Sequence, residues 1–249
     1  MNQEYIDGSK LRQMFIASAQ FLENNKQAVN ALNVFPVPDG DTGTNMALTM
    51  MAAVKEVQSF KGEQVDKIAD AAAKGALKGA RGNSGVILSQ LLRGFAKGLQ
   101  GIIDKIDTKD YAKALQEGVK TAYKAVMKPV EGTMLTVARV TAEEAMKISK
   151  RVSDFELFYK EIIKVAKQTL DKTPEMLFAL KEAGVVDSGG MGILYLMMGV
   201  GKVLSGEIDI DNVEAFSYAE EASKVSKPPV ESLEDIKFGY CTEFFIKNL

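Results

Sequence analysis

Apolar residues recur along the first 205 residues at the three- and four-residue intervals that place them on one face of a helix. Such stripes occupy residues 11–22, 87–99, 155–166 and 193–204. Capping residues agree with them, because Ser153 and Asp154 precede one stripe, while Thr173-Pro174 and Gly184 bracket a further predicted helix. No alternating run predicts a strand in this span, so we expect an all-α fold of about eight to ten helices.

The pattern changes after Gly206. Residues 207–235 are acidic and irregular and contain Lys227-Pro228-Pro229, a composition typical of a linker. Residues 236–249 have a strand-like mixture of aromatic and aliphatic side chains, but no partner strand follows them. We therefore predict a helical domain over 1–206, a linker over 207–235 and the start of a truncated second domain over 236–249. The alternative for the last segment is a strand or arm that packs on the helical body.

Composition narrows the possible functions. Thirty-one basic and 33 acidic residues give a net charge of −2, which argues against a nucleic-acid partner. Cys241 is the single cysteine, so no intrachain disulfide can form. No apolar run of about 18 residues predicts a membrane span, and the N-terminus does not resemble a signal peptide. We expect a cytoplasmic protein.

Histidine is absent from the sequence. Its absence excludes Ser-His and Cys-His nucleophile pairs and every metal site with a histidine ligand within this chain. Any chemistry must therefore use carboxylates, hydroxyls, amides, lysine, arginine or backbone groups.

The segment NVFPVPDGDTGTN, residues 33–45, is the first candidate site. Asp39 and Asp41 are separated by one glycine, and short side-chain oxygens follow them. A helix predicted to begin near Thr44 would direct free N–H groups into the same loop. Two close carboxylates repel each other unless a cation lies between them, and Mg²⁺ typically binds one or two carboxylates together with phosphate oxygens. The segment therefore suits a Mg²⁺–phosphate complex, and the alternative is a solvated Asp-Gly turn.

Two other ligand motifs fit this segment poorly. In an EF-hand loop that began at Asp39, the closing glutamate position would be Met50. The Asp-x-Asp-x-Thr pattern of haloacid-dehalogenase-type phosphotransferases would need threonine where Gly43 stands, and a strand before the motif.

The run GARGNSG, residues 79–85, leads into a strongly apolar helix predicted to begin at Ser84. Glycine-rich loops before a helix hold anions through backbone N–H groups, although a plain helix–helix corner is an equal alternative. Arg81 is a candidate for neutralising phosphate charge. Two further loops, at Thr133-Met134 and around Asp187, also join small polar residues to a helix start, and for each of these loops alone simple capping is favoured over contact with a ligand. If the helices run up and down, all four loops can meet at one end.

These motifs together resemble a known family. PDGDTGTNM, GARGNSG, KPVEGTML and VVDSGGMG are similar to the nucleotide-binding domain of the bacterial fatty acid kinase A subunit, which itself resembles the L subunit of dihydroxyacetone kinase. The resemblance covers about residues 5–205 and implies a barrel of antiparallel helices, with ATP or ADP held at one end through two Mg²⁺ ions. It also implies that residues 236–249 begin a middle domain, in which Cys241 matches a cysteine of a metal-like site.

The resemblance implies roles for individual residues. Asp39 and Asp41 match the metal-ligating aspartates. A third aspartate of the dihydroxyacetone kinase pattern falls near Asn33, which could act as a weaker neutral ligand. The remaining residues predicted to contact the nucleotide are Thr42, Gly43, Thr44, Asn45, Gly82, Asn83, Ser84, Gly85, Thr133, Met134, Asp187 and Gly189.

The function implied is transfer of the γ-phosphate of ATP to a fatty acid carboxylate, which a separate fatty-acid-binding B protein presents. The product is an acyl phosphate for phospholipid synthesis, and the full-length protein is expected to be a homodimer. Two alternatives remain open at this point. One is a module that holds ADP or ATP as a coenzyme without turnover, and the other is an interaction scaffold with an inert Asp-Gly loop.

Overall fold

The computed structural model describes residues 3–208. Contacts divide the chain into one unit over 1–212 and another over 213–249, and the described residues belong to the first. The predicted linker from residue 209 onward and the predicted second domain therefore lie outside the described residues.

The expected helical class is confirmed. Ten helices and two very short strands make up the described part of the chain: β1 (Ile6–Asp7), α1 (Gly8–Asn30), α2 (Thr42–Ser59), α3 (Val65–Gly79), α4 (Gly82–Gly98), β2 (Lys105–Ile106), α5 (Thr108–Ala125), α6 (Met134–Ile148), α7 (Phe155–Asp171), α8 (Thr173–Met176), α9 (Phe178–Ala183) and α10 (Ser188–Leu204).

The eight long helices close into a barrel. Each of α1 to α6 packs against the next helix in the chain. Helix α7 packs against α10, and α10 packs back against α1, which closes the ring. Short connections between neighbouring helices give an up-and-down arrangement, in which every second connection lies at the same end. The loops that precede α2, α4, α6 and α10 are therefore all at one end, where the four sequence motifs occur.

The interior of the barrel is apolar. Leu11, Met14 and Leu22 of the first predicted stripe are all buried. Tyr111 and Tyr159 pack edge-on and share a hydrogen bond between their hydroxyls, and burial raises the pKa of Tyr111 to about 12. A cavity of about 150 Å³ remains between α1, α2, α4, α5, α6, α7 and α10. Helices that converge on such a core gain most of their stability from packing rather than from intrinsic propensity.

Two local expectations were wrong. Ile6 and Asp7 pair antiparallel with Ile106 and Lys105, where no strand was expected, because two residues are too few to show alternation. The single helix expected between Thr173 and Gly184 is broken into α8 and α9 by an extended residue, Leu177, although Gly184 ends α9 in the left-handed conformation as expected.

Among residues 3–208, no helix is long and apolar enough to cross a membrane.

Candidate functional site

Four loops at one end of the barrel surround a cavity of about 570 Å³. Small-molecule sites in proteins are typically concave and of roughly 300–1,000 Å³. Each of the four sequence motifs contributes to its wall. The lining residues from these motifs include Asn33, Phe35, Pro36, Val37, Asp39, Asp41, Thr42, Asn45, Gly82, Asn83, Ser84, Lys128, Val130, Thr133, Met134, Asp187, Ser188 and Gly189.

The paired carboxylates stand at the start of α2. Asp39 is exposed and Asp41 is half-buried, with Gly40 between them at a positive φ of 66°. Partial burial and the neighbouring Asp41 carboxylate raise the pKa of Asp39. Asp41 is the N-cap residue of α2, yet its side chain makes no capping hydrogen bond. The Asp41 carboxylate is therefore not used as a cap, and repulsion between the two carboxylates favours a cation beside them.

Asn33 and Asn30 fix this loop to the end of α1. The Asn33 side-chain oxygen accepts hydrogen bonds from Asp41 N at 3.3 Å, Thr42 N at 3.2 Å and Thr42 Oγ1 at 2.7 Å. The Asn33 amide donates to the carbonyl of Val37. The Asn30 side-chain oxygen accepts from Thr44 N at 3.1 Å.

These bonds correct two expectations about the loop. Helix α2 begins at Thr42 rather than near Thr44, and two of its first N–H groups are already bonded to Asn33 and Asn30. The Asn33 oxygen, with three donors, is the acceptor that caps α2 rather than a free ligand for a metal ion. Asn33 thus stands near the place where the family resemblance would put a third aspartate, and its hydrogen bonds hold the loop against the start of α2.

The backbone amides at the start of α4 differ from those of α2, because they are not capped by a side chain. Within the described residues, the backbone N–H groups of Gly82, Asn83 and Ser84 have no hydrogen-bond acceptor, and all three residues line the cavity. This helix begins at Gly82, two residues before the expected Ser84. Gly82 has a φ of 55°, and a Cβ on it would lie 2.3 Å from Asn45 Nδ2. Glycine therefore lets α4 present its N-terminal amides beside α2, an arrangement that binds anions.

Arg81 does not occupy the place expected for it. Its side chain is exposed, donates a hydrogen bond to the carbonyl of Ala80 at 3.5 Å and does not line the cavity. The basic residue in the cavity wall is Lys128, which the sequence interpretation missed. The signal that could have found it is its place at the start of the motif KPVEGTML, on which the family resemblance already rests.

Hydroxyl groups connect three of the four loops. Thr42 Oγ1 lies 3.3 Å from Ser188 Oγ and donates to Asn33, while Ser84 Oγ donates to the carbonyl of Thr42 at 3.4 Å. Ser188 was also missed, because it directly follows a capping aspartate and fits a plain helix start. The network holds the starts of α2, α4 and α10 together.

Asp187 is buried at the start of α10. Its Oδ2 accepts from Gly190 N at 2.7 Å, and its own N–H donates to Thr173 Oγ1 at 3.0 Å. Burial raises the pKa of Asp187 to about 6, against the opposing hydrogen bonds from the Gly190 and Met134 amides. The side chain caps α10 and reaches the first residue of α6, so the structure gives it a clear architectural role.

Side chains that do not line the cavity hold the loop before α6 in place through hydrogen bonds. Arg139 donates to Glu131 at 2.8 Å and to Tyr123 at 3.2 Å, while Thr136 donates to Glu131 at 2.7 Å. Burial acts to raise the pKa of Glu131, but these hydrogen bonds outweigh it and lower the pKa. Thr133 is the N-cap of α6, although its hydroxyl donates to the carbonyl of Val130 instead of capping the helix.

Not every predicted contact residue lines the cavity. Gly43, Thr44 and Gly85 lie just behind the wall, where Gly43 allows close packing: a Cβ on it would be 2.2 Å from the carbonyl oxygen of Lys26. In the described part of the chain, no three Asp, Glu, His or Cys residues form a metal-binding group. A cation at Asp39 and Asp41 thus needs further oxygens from a ligand or water.

Comparison with known proteins identifies the family. The DAK2 domain model matches residues 36–202. Protein YloV of Bacillus subtilis (strain 168) is 46% identical over 245 residues, which are 97% of this chain and 44% of that protein. An uncharacterized protein of Staphylococcus epidermidis is 44% identical over the same share of both chains. The chain thus spans less than half the length of these relatives.

A solved structure shares the fold. The crystal structure of the dihydroxyacetone kinase from C. freundii in complex with AMP-PNP and Mg²⁺ matches with a TM-score of 0.59 and 17% identity, over 77% of this chain and 33% of that one. The family match covers well over half of the present sequence, and the helical barrel agrees with it. This chain belongs to the DAK2 domain family.

Proposed function

We propose that this chain is the ATP-binding part of a phosphotransferase whose acceptor is a fatty acid carboxylate, presented by a separate fatty-acid-binding protein. One observation carries the proposal. The paired carboxylates Asp39 and Asp41 line the same open cavity as the free N-terminal amides of α4. A nucleoside triphosphate with bound Mg²⁺ offers the complementary charges to both groups.

The donor set suits Mg²⁺. Asp39 and Asp41 are oxygen ligands, and their mutual repulsion favours a cation between them. Bound there, two Mg²⁺ ions, the number that the family resemblance implies, would neutralise the negative charge of the triphosphate. The dihydroxyacetone kinase that shares this fold was crystallised with AMP-PNP and Mg²⁺, which supports the same class of ligand here.

The chemistry requires no general base. A carboxylic acid is already ionised near pH 7, so its oxygen can attack the γ-phosphorus directly. The new O–P bond forms as the bond from the γ-phosphorus to the bridging oxygen breaks, and ADP leaves with that oxygen. The α4 amides and Lys128 stabilise the phosphate charge during transfer. A site without histidine is adequate for this reaction.

A transfer assay tests the proposed function. The full-length protein, in which the family resemblance places the docking surface for the binding protein, is combined with a fatty-acid-loaded binding protein, Mg²⁺ and ATP labelled at the γ-phosphate, and labelled acyl phosphate is expected. Stoichiometric ADP that co-purifies with the chain, together with no transfer, would favour the coenzyme alternative. A folded chain that binds no nucleotide at all would leave only the scaffold alternative. The proposal also includes a homodimeric full-length protein in the cytoplasm.

Lys128 and Arg81 form a matched pair for a second test. Lys128→Gln is expected to weaken ATP–Mg²⁺ binding about three- to tenfold, because a charged hydrogen bond to phosphate is lost from a partly solvated site. Arg81→Gln is expected to leave the affinity within about twofold, because its guanidinium lies outside the cavity wall. Calorimetric titration measures both, and the reverse order of effects would return the cationic role to Arg81.

A further inference from the structure

A groove on the outer surface of α3, α4 and α5 carries an excess of positive charge. Its volume is about 660 Å³. Its basic lining residues are Lys67, Lys74, Arg93, Lys97, Lys120 and Lys124, and its acidic ones are Asp66, Asp70 and Glu117. The groove therefore has a charge of +3 in a chain whose net charge is −2. It shares only Ala125 with the wall of the candidate nucleotide site, so it is a separate surface.

The positive charges are spread along the groove. Each of the three helices contributes two of them, seven residues apart on α3 and four residues apart on α4 and α5. At a rise of about 1.5 Å per residue, these intervals span about 10 Å and 6 Å. A single phosphate group can contact the two cations of one helix turn, but only an extended or helical chain can meet the cations of all three helices.

Part of this charge is not neutralised by neighbouring carboxylates. Glu117 pairs with Lys97 at 2.6 Å and with Lys120 at 3.8 Å, and the hydrogen bond from Lys97 lowers the pKa of Glu117. Asp66 and Asp70 each pair with a lysine of their own helix. Arg93 and Lys124 form no ion pair within residues 3–208. These two side chains leave the groove able to attract an anionic partner.

We propose that this groove binds an acidic segment of a protein partner, with carboxylates spaced along the segment to meet the cations of the three helices. Charge complementarity favours this occupant. A nucleic acid carries phosphates at close, fixed intervals, so some of them would lie against Asp70 and Glu117, whereas a peptide can carry carboxylates opposite the cations alone. A membrane surface is flat, whereas the groove is concave, and its one large exposed apolar residue is Leu77.

Two charge-matched variants test the proposal. Arg93→Gln, Lys120→Gln and Lys124→Gln are combined in one protein. The control combines Lys109→Gln, Lys150→Gln and Lys164→Gln, which are exposed, lie outside the groove and form no ion pair among the described residues. Each variant removes three positive charges. The probe is a fluorescein-labelled 16-residue peptide of alternating Glu and Ala, measured by anisotropy at 50 mM and 200 mM NaCl.

The expected result is peptide binding that weakens with salt and falls about tenfold or more in the groove variant, but within about twofold in the control. Both variants should bind ATP–Mg²⁺ as the parent does, which separates this proposal from the nucleotide site. Equal losses in the two variants, or no peptide binding at 50 mM NaCl, would overturn it. Tighter groove-dependent binding of single-stranded DNA, or of vesicles containing anionic lipid, would show that the occupant is of another class.

Discussion

Replacement of Asp41 by alanine is expected to abolish Mg²⁺-dependent ATP binding and phosphoryl transfer while the chain stays folded. Asp41 lines the candidate site beside Asp39, and the two carboxylates form the adjacent pair of oxygen donors that suits a cation. Loss of an outer-shell partner of a metal site typically costs about 10- to 100-fold in affinity, so loss of a direct ligand should cost about 100-fold or more. Calorimetric titration of ATP with and without Mg²⁺ measures the effect.

The fold should survive because Asp41 does no capping with its side chain. Helix α2 is capped instead by Asn33 and Asn30, which keep their bonds to Thr42 and Thr44 in the variant. A suitable control is Asp104→Asn, an exposed carboxylate in a loop away from the cavity. If Asp41→Ala binds ATP–Mg²⁺ with parental affinity, the metal assignment at this loop is wrong.

The fold was largely predictable from the chain because helices of this length show their buried face in the sequence. The stripe at 155–166 and its cap Asp154 became α7, with the Asp154 side chain accepting from Leu157 N as expected. The missed elements were too short for any period to appear, such as the two-residue strands. The break at Leu177 was missed because nothing local marks it, and the residue itself is an ordinary helix former.

The site was predictable only in part, for a different reason. Clusters of glycine and aspartate marked the positions of the loops, because both residue types are preferred in turns and are rarely grouped inside helices. The sequence could not show which helix start keeps its amides free, because that depends on Asn33 and Asn30 reaching across from α1. Nor could it show that Lys128 rather than Arg81 lines the cavity, because loop conformation decides that choice.

Replacement of Asp187 by asparagine is expected to stabilise the chain near pH 7.5, by about 1–3 kcal/mol in the free energy of unfolding. Burial raises the pKa of Asp187 to about 6 in the folded state, against an ordinary value of 3.8. Between these values the folded chain binds more protons than the unfolded chain, so stability falls as pH rises from about 4 to about 6. Above about pH 6 the buried carboxylate is charged and lowers the free energy of unfolding by the full amount. Asparagine has no charge and removes this destabilisation.

Asparagine suits the position because it is a favourable N-cap and retains an oxygen for the Gly190 N–H. Urea unfolding followed by circular dichroism between pH 4 and 8 should show a flatter pH dependence in Asp187→Asn than in the parent chain. Asp187→Ala tests the cap itself: it should be less stable than Asp187→Asn by about 1 kcal/mol at every pH, because both variants lack the buried charge but only alanine leaves the Gly190 amide without its partner. ATP affinity separates architecture from ligand contact. An Asp187→Asn variant that is stabilised yet binds ATP–Mg²⁺ more than about tenfold more weakly would place the carboxylate itself on the nucleotide.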